Sequence, residues 1–258
     1  MSSSWYENTV IIVAVLIASL VLEQLKSIKL KSMLEANDLK KDLPSIGSVL
    51  LVIAHPDDEI MFWTPTIKTL LGKKIPLKIL CLSNGNYYGL GEIREREFDD
   101  VSRELNLPDN RILNIPELQD NQKQKWDPSI VSEQIEEFIK NNPDVRTILT
   151  FDGDGVTQHP NHISCFEGVI YYLKHHLDEC KKNNIKVYTL DSFNFFLQYT
   201  SFFPLLYSIF KKHGFYSMTF WSSFQYMRYY KSQFTLLRKL HCLLSGYSNY
   251  NSYTKFNY

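Results

Sequence analysis

Ser48-Val-Leu-Leu-Val-Ile-Ala54 runs straight into His55-Pro-Asp-Asp-Glu59, so an unbroken apolar stretch ends in one imidazole and three carboxylates. Apolar residues without alternation suit a strand covered on both faces, and such strands belong to parallel sheets flanked by helices. Outward from this point, further short apolar runs occupy 75–82, 111–115, 145–151 and 185–190. Helical patterns near 58–71, 92–105, 128–141 and 160–178 separate them. The alternation predicts an α/β fold with a Rossmann-like, mostly parallel sheet and helices on both faces. Ligands in such sheets lie beyond the carboxyl ends of the strands, so loops that follow strands are where chemistry is expected.

Two of these loops are unusually polar: His55–Glu59, and Asp152-Gly-Asp-Gly-Val-Thr-Gln-His-Pro-Asn-His162 after the strand that ends at Phe151. Catalytic zinc takes about three ligands from His, Asp or Glu and keeps a position open for water. An imidazole and a carboxylate from the first loop with an imidazole from the second would supply that set. His55 and Asp58 stand three apart at a helix start and share a face, which leaves Asp57 free to act as a base. Pro160 suits the first helical position, making His159 the cap and placing His162 one turn on. One of these two imidazoles can bind a metal while the other keeps a proton near a substrate. Taken singly, an HxxH or an acidic triplet at a helix start reads as capping or dipole compensation, and Glu59 in particular suits that structural role. Two such clusters at strand ends of one sheet do not, because charge is costly to desolvate there.

The run AHPDDE at 54–59, followed by HPNH at 159–162, resembles the LmbE-like, or PIG-L-type, zinc de-N-acetylases. The resemblance covers roughly 48–195 and implies a Rossmann-like fold with one zinc ion. It implies His55, Asp58 and His162 as zinc ligands and Asp57 as the general base toward water. His159, protonated, would stabilise the oxyanion and protonate the leaving amine. Arg94 and Glu97 match a charged pair that recurs in the family, which makes Arg94 a candidate contact to phosphate or a sugar hydroxyl. Asp152 and Asp154 are candidates for contacting the sugar or orienting a zinc-ligating imidazole. SNGNYYGLGEIREREF at 83–98 is similar to a segment of the family's eukaryotic branch. That branch deacetylates N-acetylglucosaminyl-phosphatidylinositol in the second step of glycosylphosphatidylinositol anchor synthesis. Some bacterial members carry a Tyr just before the first His of the second motif, where this chain has Gln158. Deacetylation of another N-acetylglucosamine conjugate and non-catalytic glycolipid binding are the alternatives.

The remaining sequence says where such a domain would sit. The chain has 258 residues and equal numbers of acidic and basic side chains, 28 of each, so it has no global basic field of the kind nucleic-acid binders use. Cys81, Cys165, Cys180 and Cys242 form no CxxC pair and read as free thiols. Thr9–Leu22 is uncharged and apolar behind Trp5 and Tyr6. Counted from Trp5 to Leu25, a helix would reach about 31 Å, which predicts an N-terminal transmembrane helix. No Lys or Arg precedes that run, whereas Lys26, Lys29, Lys31, Lys40 and Lys41 follow it. This favours an anchor over a cleaved signal and puts the body in the cytosol, at the endoplasmic reticulum membrane if the resemblance holds. Residues 201–258 carry seven Lys or Arg, no Asp or Glu and half of the chain's aromatics, a composition suited to a membrane interface. The expected organisation is therefore an anchor over 1–25, a linker over 26–47, a catalytic domain over 48–195 and a basic, aromatic extension over 196–258.

Overall fold

The computed structural model describes residues 47–107, 109–200, 213–216 and 221–258. The expected anchor and all but the last residue of the linker lie outside them. Among the described residues no helix is long and apolar enough to cross a membrane.

The strands are β1 (Ser48–Ile53), β2 (Leu77–Cys81), β3 (Asn110–Ile112), β4 (Val145–Phe151), β5 (Lys186–Leu190), β6 (His213–Tyr216) and β7 (Tyr250–Phe256). They form one sheet in the order β3-β2-β1-β4-β5-β7-β6. The first five are mutually parallel, as the unbroken apolar runs require, and β1 is buried from end to end. β1 leads on to β2 on one side and has β4 on the other, so the chain changes direction across the sheet there.

The helices are α1 (Asp58–Phe62), α2 (Thr64–Gly72), α3 (Gly91–Glu104), α4 (Pro128–Asn141), α5 (Gly155–Gln158), α6 (Pro160–His175), α7 (Leu177–Lys182), α8 (Phe195–Gln198), α9 (Trp221–Met227) and α10 (Leu236–Leu244). The single helix expected over 58–71 is broken at Trp63, because Pro65 lacks the amide hydrogen that would continue the ladder to the Met61 carbonyl and suits the first turn of a new helix. The helix expected to reach 178 ends at His175, and a separate short helix follows from Leu177. At the sheet's far edge the run read as 111–115 contributes only Asn110–Ile112.

Residues 196–258, expected as an extension, supply the sheet's last two strands. β7 pairs antiparallel with β5 from Val187↔Phe256 to Leu190↔Tyr253, and β6 pairs with β7. Polar Asn251 conceals this strand from an apolar reading. Fully buried, Asn251 accepts from the Thr66 hydroxyl at 2.7 Å through Oδ1 and donates to the Phe62 carbonyl at 2.7 Å through Nδ2. That network ties β7 to α1 and α2. All four cysteines are buried free thiols.

α4 and α6 meet closely at Gly168, where an added Cβ would fall 2.1 Å from Val131 Cγ1 and 2.5 Å from its Cβ. Gly→Ala inside a helix ordinarily stabilises by up to about 1 kcal/mol, but here the obstacle is the root of a neighbouring side chain and cannot swing away. Gly168→Ala is expected to lower stability by about 1–3 kcal/mol in chemical denaturation, with Val131→Ala in the same chain recovering part of it.

Candidate metal and catalytic site

The two polar loops leave the carboxyl ends of adjacent strands β1 and β4, the position where doubly wound sheets bind ligands. Between them opens a cavity of about 450 Å³ lined by His55, Asp57, Asp58, His159 and His162 among others.

The first loop is built by its own carboxylates. Asp58 Oδ2 accepts the backbone amides of His55 at 2.9 Å and Ala54 at 3.1 Å, which turns the chain sharply and aims both side chains at the cavity. Asp57 caps α1 in left-handed backbone geometry, φ 106°, a strained conformation for a residue with a side chain. Its amide donates to Glu59 Oε2 at 3.2 Å, and the Tyr230 hydroxyl donates to Glu59 Oε1. Glu59, read as a first-turn carboxylate, is thus a buried prop under Asp57. Burial pushes its pKa up to about 8, and the nearby Asp57 and Asp58 charges act in the same direction.

The second loop is pinned from below. Asp152 Oδ1 accepts the amides of Asp154 and Gly155 and the Ser192 hydroxyl, while Oδ2 accepts the Ser192 amide at 2.6 Å. Gly155 at φ 57° lies so close to α6 that a Cβ would come within 3.0 Å of His162 Cβ. Its carbonyl then faces His162 Nδ1 at 3.0 Å, and the His162 ring stacks on Phe151 at 4.1 Å between centroids. With Nδ1 donating to a carbonyl, His162 presents the Nε2 lone pair to the cavity.

The donor set follows from these hydrogen bonds. His162 Nε2 lies 3.2 Å from Asp58 Oδ1, about the separation of two ligands bound at 2.0–2.1 Å in tetrahedral geometry. His55 Nε2 faces Asp120 Oδ1 at 3.2 Å and Asn161 Oδ1 at 3.3 Å, leaving Nδ1 directed toward Asp58 Oδ2 at 3.8 Å. Ring nitrogens of His55, His159 and His162 all lie within 4.8 Å of one another, a group able to hold a metal ion. His159 differs from the other two. Its Nδ1 accepts the Asn161 amide at 3.2 Å as the cap of α6, so a neutral ring must carry its proton on Nε2 and acts as a donor. Two imidazoles with fixed partners and a buried carboxylate fit a divalent cation such as zinc.

Charge in the cavity is strongly coupled. Burial opposes ionisation of Asp58, yet the His162 and His55 rings hold its pKa well below the usual carboxylate range. Burial also disfavours a charged His55, but hydrogen bonding to Asp120 and the Asp58 and Asp120 charges raise its pKa overall. For His159, burial and the two neighbouring rings lower the pKa to about 4. The ring read as protonated is therefore neutral at pH 7.

The other expected contacts divide. Arg94 lines the cavity, but its guanidinium donates to the Gly85 carbonyl and the Pro56 carbonyl, each at 2.8 Å, and stands 3.6 Å from Asp57. Glu97 turns away from Arg94 and accepts the Ser232 amide and hydroxyl at 2.7 and 2.6 Å. Asp152 and Asp154 do not line the cavity. Asp152 spends both oxygens on the loop, so it serves the site through Gly155 and His162, and Asp154 is exposed at the start of α5. Three residues escaped the sequence reading. Asp120, in the loop after β3, orients His55 and lies 3.7 Å from Arg94; Tyr230 holds Glu59; and Arg238 of α10 donates through Nε to Asp57 Oδ2 at 2.6 Å. Nothing in the local sequence of Arg238 or Tyr230 signals these contacts, which span 181 and 171 residues.

His241 of α10 packs beside the cavity with a pKa lowered by burial to about 4. For His159 and His241 the folded value lies below the ordinary 6.5, so the unfolded chain binds the extra proton first. Their stabilisation is complete above pH 6.5 and is lost as pH falls toward 4, with His241 alone contributing about 3 kcal/mol. Glu59, whose folded pKa is about 8, acts in the opposite sense as pH falls toward 4.5, so the histidine contribution is read as a difference: the denaturation midpoint of His241→Gln is expected to depend less steeply on pH between 6.5 and 4 than that of the unaltered chain.

Fold and site together define a doubly wound α/β protein with a pocket of imidazoles and carboxylates, able to hold a metal ion, at its switch point. The family model described as PIG-L, GlcNAc-PI de-N-acetylase, matches residues 50–173. A Bos taurus N-acetylglucosaminyl-phosphatidylinositol de-N-acetylase is 32% identical over 217 residues, 81% of this chain and 84% of the relative. This chain belongs to the PIG-L family. A Schizosaccharomyces pombe protein, a probable N-acetylglucosaminyl-phosphatidylinositol de-N-acetylase, is 37% identical over 161 residues, 61% of this chain and 62% of its own length. A Dictyostelium discoideum relative of the same description is matched over 49% of its length, so the chain spans only about half to two thirds of these two relatives. Among solved structures, Pyrococcus horikoshii N,N'-diacetylchitobiose deacetylase shares the fold at a TM-score of 0.55 and 13% identity, over 88% of this chain and 92% of that one.

Proposed function

We propose that this chain hydrolyses the acetamide of N-acetylglucosaminyl-phosphatidylinositol to glucosaminyl-phosphatidylinositol and acetate, the second step of glycosylphosphatidylinositol anchor synthesis. The observation that carries the reading is the strained Asp57 carboxylate beside the His55–Asp58–His162 cluster in one cavity at the switch point. The relatives' names supply the substrate class.

His55, Asp58 and His162 would hold one zinc ion, which when bound lowers the pKa of water toward neutrality and polarises a carbonyl oxygen. Asp57 accepts a proton from the attacking water as its oxygen bonds to the acetyl carbon. His159 donates from Nε2 to the oxyanion that develops on the carbonyl oxygen. The carbon–nitrogen bond then breaks, and the proton held on Asp57 passes to the departing nitrogen, regenerating the base. A neutral His159 thus covers the oxyanion role, and the acid role falls to Asp57. Arg94, on the cavity wall, is the contact assigned to a phosphate or sugar hydroxyl.

Residues 1–25 are assigned as a single-pass anchor in the endoplasmic reticulum membrane and 26–47 as its linker, with the domain facing the cytoplasm. A lipid substrate offers its sugar only to an enzyme held at that surface, and the lysines after the apolar run support this orientation. The test compares acetate release from N-acetylglucosaminyl-phosphatidylinositol with release from a water-soluble N-acetylglucosamine conjugate. Preference for the lipid supports the assignment, and preference for the soluble conjugate overturns it.

A further inference from the structure

α10 has two opposite faces. Leu236, Leu237, Leu240 and Leu244 fall within about a 100° arc of the helix and all are exposed, Leu237 at 78%. On the buried side, Arg238 reaches Asp57 and Cys242 enters the core. Exposed leucines singly are ordinary, but four on one stripe mark an interaction surface. The stripe continues onto α8, where exposed Phe195 and Tyr199 pair at 5.1 Å and Tyr199 approaches His241 of α10. Tyr199 and exposed Tyr88 also line the cavity, so the apolar patch rims its mouth.

We propose that the α10 leucine stripe, with Phe195 and Tyr199, is an interfacial docking surface that seats the mouth of the cavity on an anionic lipid bilayer. Charge decides the occupant. Lys239 lies on α10 beside the stripe, the helix carries no Asp or Glu, and none follows Asp191 in the chain, so an anionic lipid surface is matched and a basic partner is repelled. An apolar face flanked by cations, lying in the plane of the headgroups, is the signature of a helix that rests on a membrane without crossing it. The geometry places the acid–base pocket directly above the lipid headgroups, and in this respect the inference deepens the lipid-substrate reading and rests on it.

The test uses the full chain and reads the stripe directly, so that vesicle binding through the proposed N-terminal anchor does not count as docking of α10. An environment-sensitive fluorophore is placed on Leu237→Cys and, as a control, on exposed Glu133→Cys of α4. Vesicles of phosphatidylcholine with phosphatidylserine carry a quencher at headgroup depth. The expected result is a blue shift and quenching at 237, stronger with phosphatidylserine, and neither at 133. The variant Leu237→Ser/Leu240→Ser, altered only at exposed positions, is expected to lose about tenfold in turnover of vesicle-borne substrate and less than about twofold in detergent micelles. An unquenched label at 237 overturns the proposal. So does a label already blue-shifted before vesicles are added, since another part of the chain would then cover the stripe. A blue shift that grows with protein concentration alone overturns it in favour of a second copy. Quenching without any acetate release by the unaltered chain would leave the docking surface standing and remove the catalytic reading; release without quenching would do the reverse.

Discussion

Asp57→Asn lowers kcat for acetate release by about 1,000-fold while leaving KM nearly unchanged and the chain folded. Asn has the same shape and its side-chain oxygen can still accept the Arg238 hydrogen bond now made at 2.6 Å, so the loop keeps its geometry. The strained backbone at φ 106° is held by the Glu59–Tyr230 prop, which the substitution does not touch. The charge opposite Arg238 and Arg94 goes with the proton acceptor, so some stability is lost as well, but the folded loop then lacks only the base that takes a proton from water. Steady-state kinetics beside a melting curve checks this, and an unfolded variant or one with a risen KM and unchanged kcat would point to a structural or binding role for Asp57.

His162→Gln reduces bound zinc from near one ion per chain to near none, measured by metal analysis after dialysis. The ring's Nδ1 is committed to the Gly155 carbonyl and its plane to Phe151, so Nε2 is fixed 3.2 Å from Asp58 Oδ1. A flexible amide lacks both the fixed aim and the basicity of the imidazole, and losing one of three ligands removes most of the affinity. His159→Gln, by contrast, is expected to keep the metal and lose rate, because His159 is a donor through Nε2. Retention of zinc by the first variant and its loss by the second would exchange the roles of the two histidines.

Much of this site is legible in the sequence because it is local. His55, Asp57 and Asp58 lie within one turn after a buried strand, and Pro160 fixes His159 as a cap with His162 one turn further. The parallel core strands are legible for the same reason, since burial on both faces writes itself as an unbroken apolar run. What escapes is what distant segments contribute. Asp120, Tyr230 and Arg238 are brought to the pocket by tertiary packing, with no spacing rule that links them to the motifs they serve. β7 is hidden because buried Asn251 is satisfied by side-chain and backbone partners on α1 and α2, so its strand carries a polar residue where periodicity expects an apolar one. Asp152 shows the reverse failure. Its place at a strand end marks it as a site residue, whereas its oxygens are consumed in holding the loop.

The most direct measurement is acetate release from N-acetylglucosaminyl-phosphatidylinositol by the purified full chain, before chelation, after it, and after zinc is restored. The expected result is turnover that disappears with the metal and returns at about one zinc per chain. Binding of the lipid with no acetate released under any divalent cation would contradict the hydrolytic reading and leave a glycolipid-binding protein in its place.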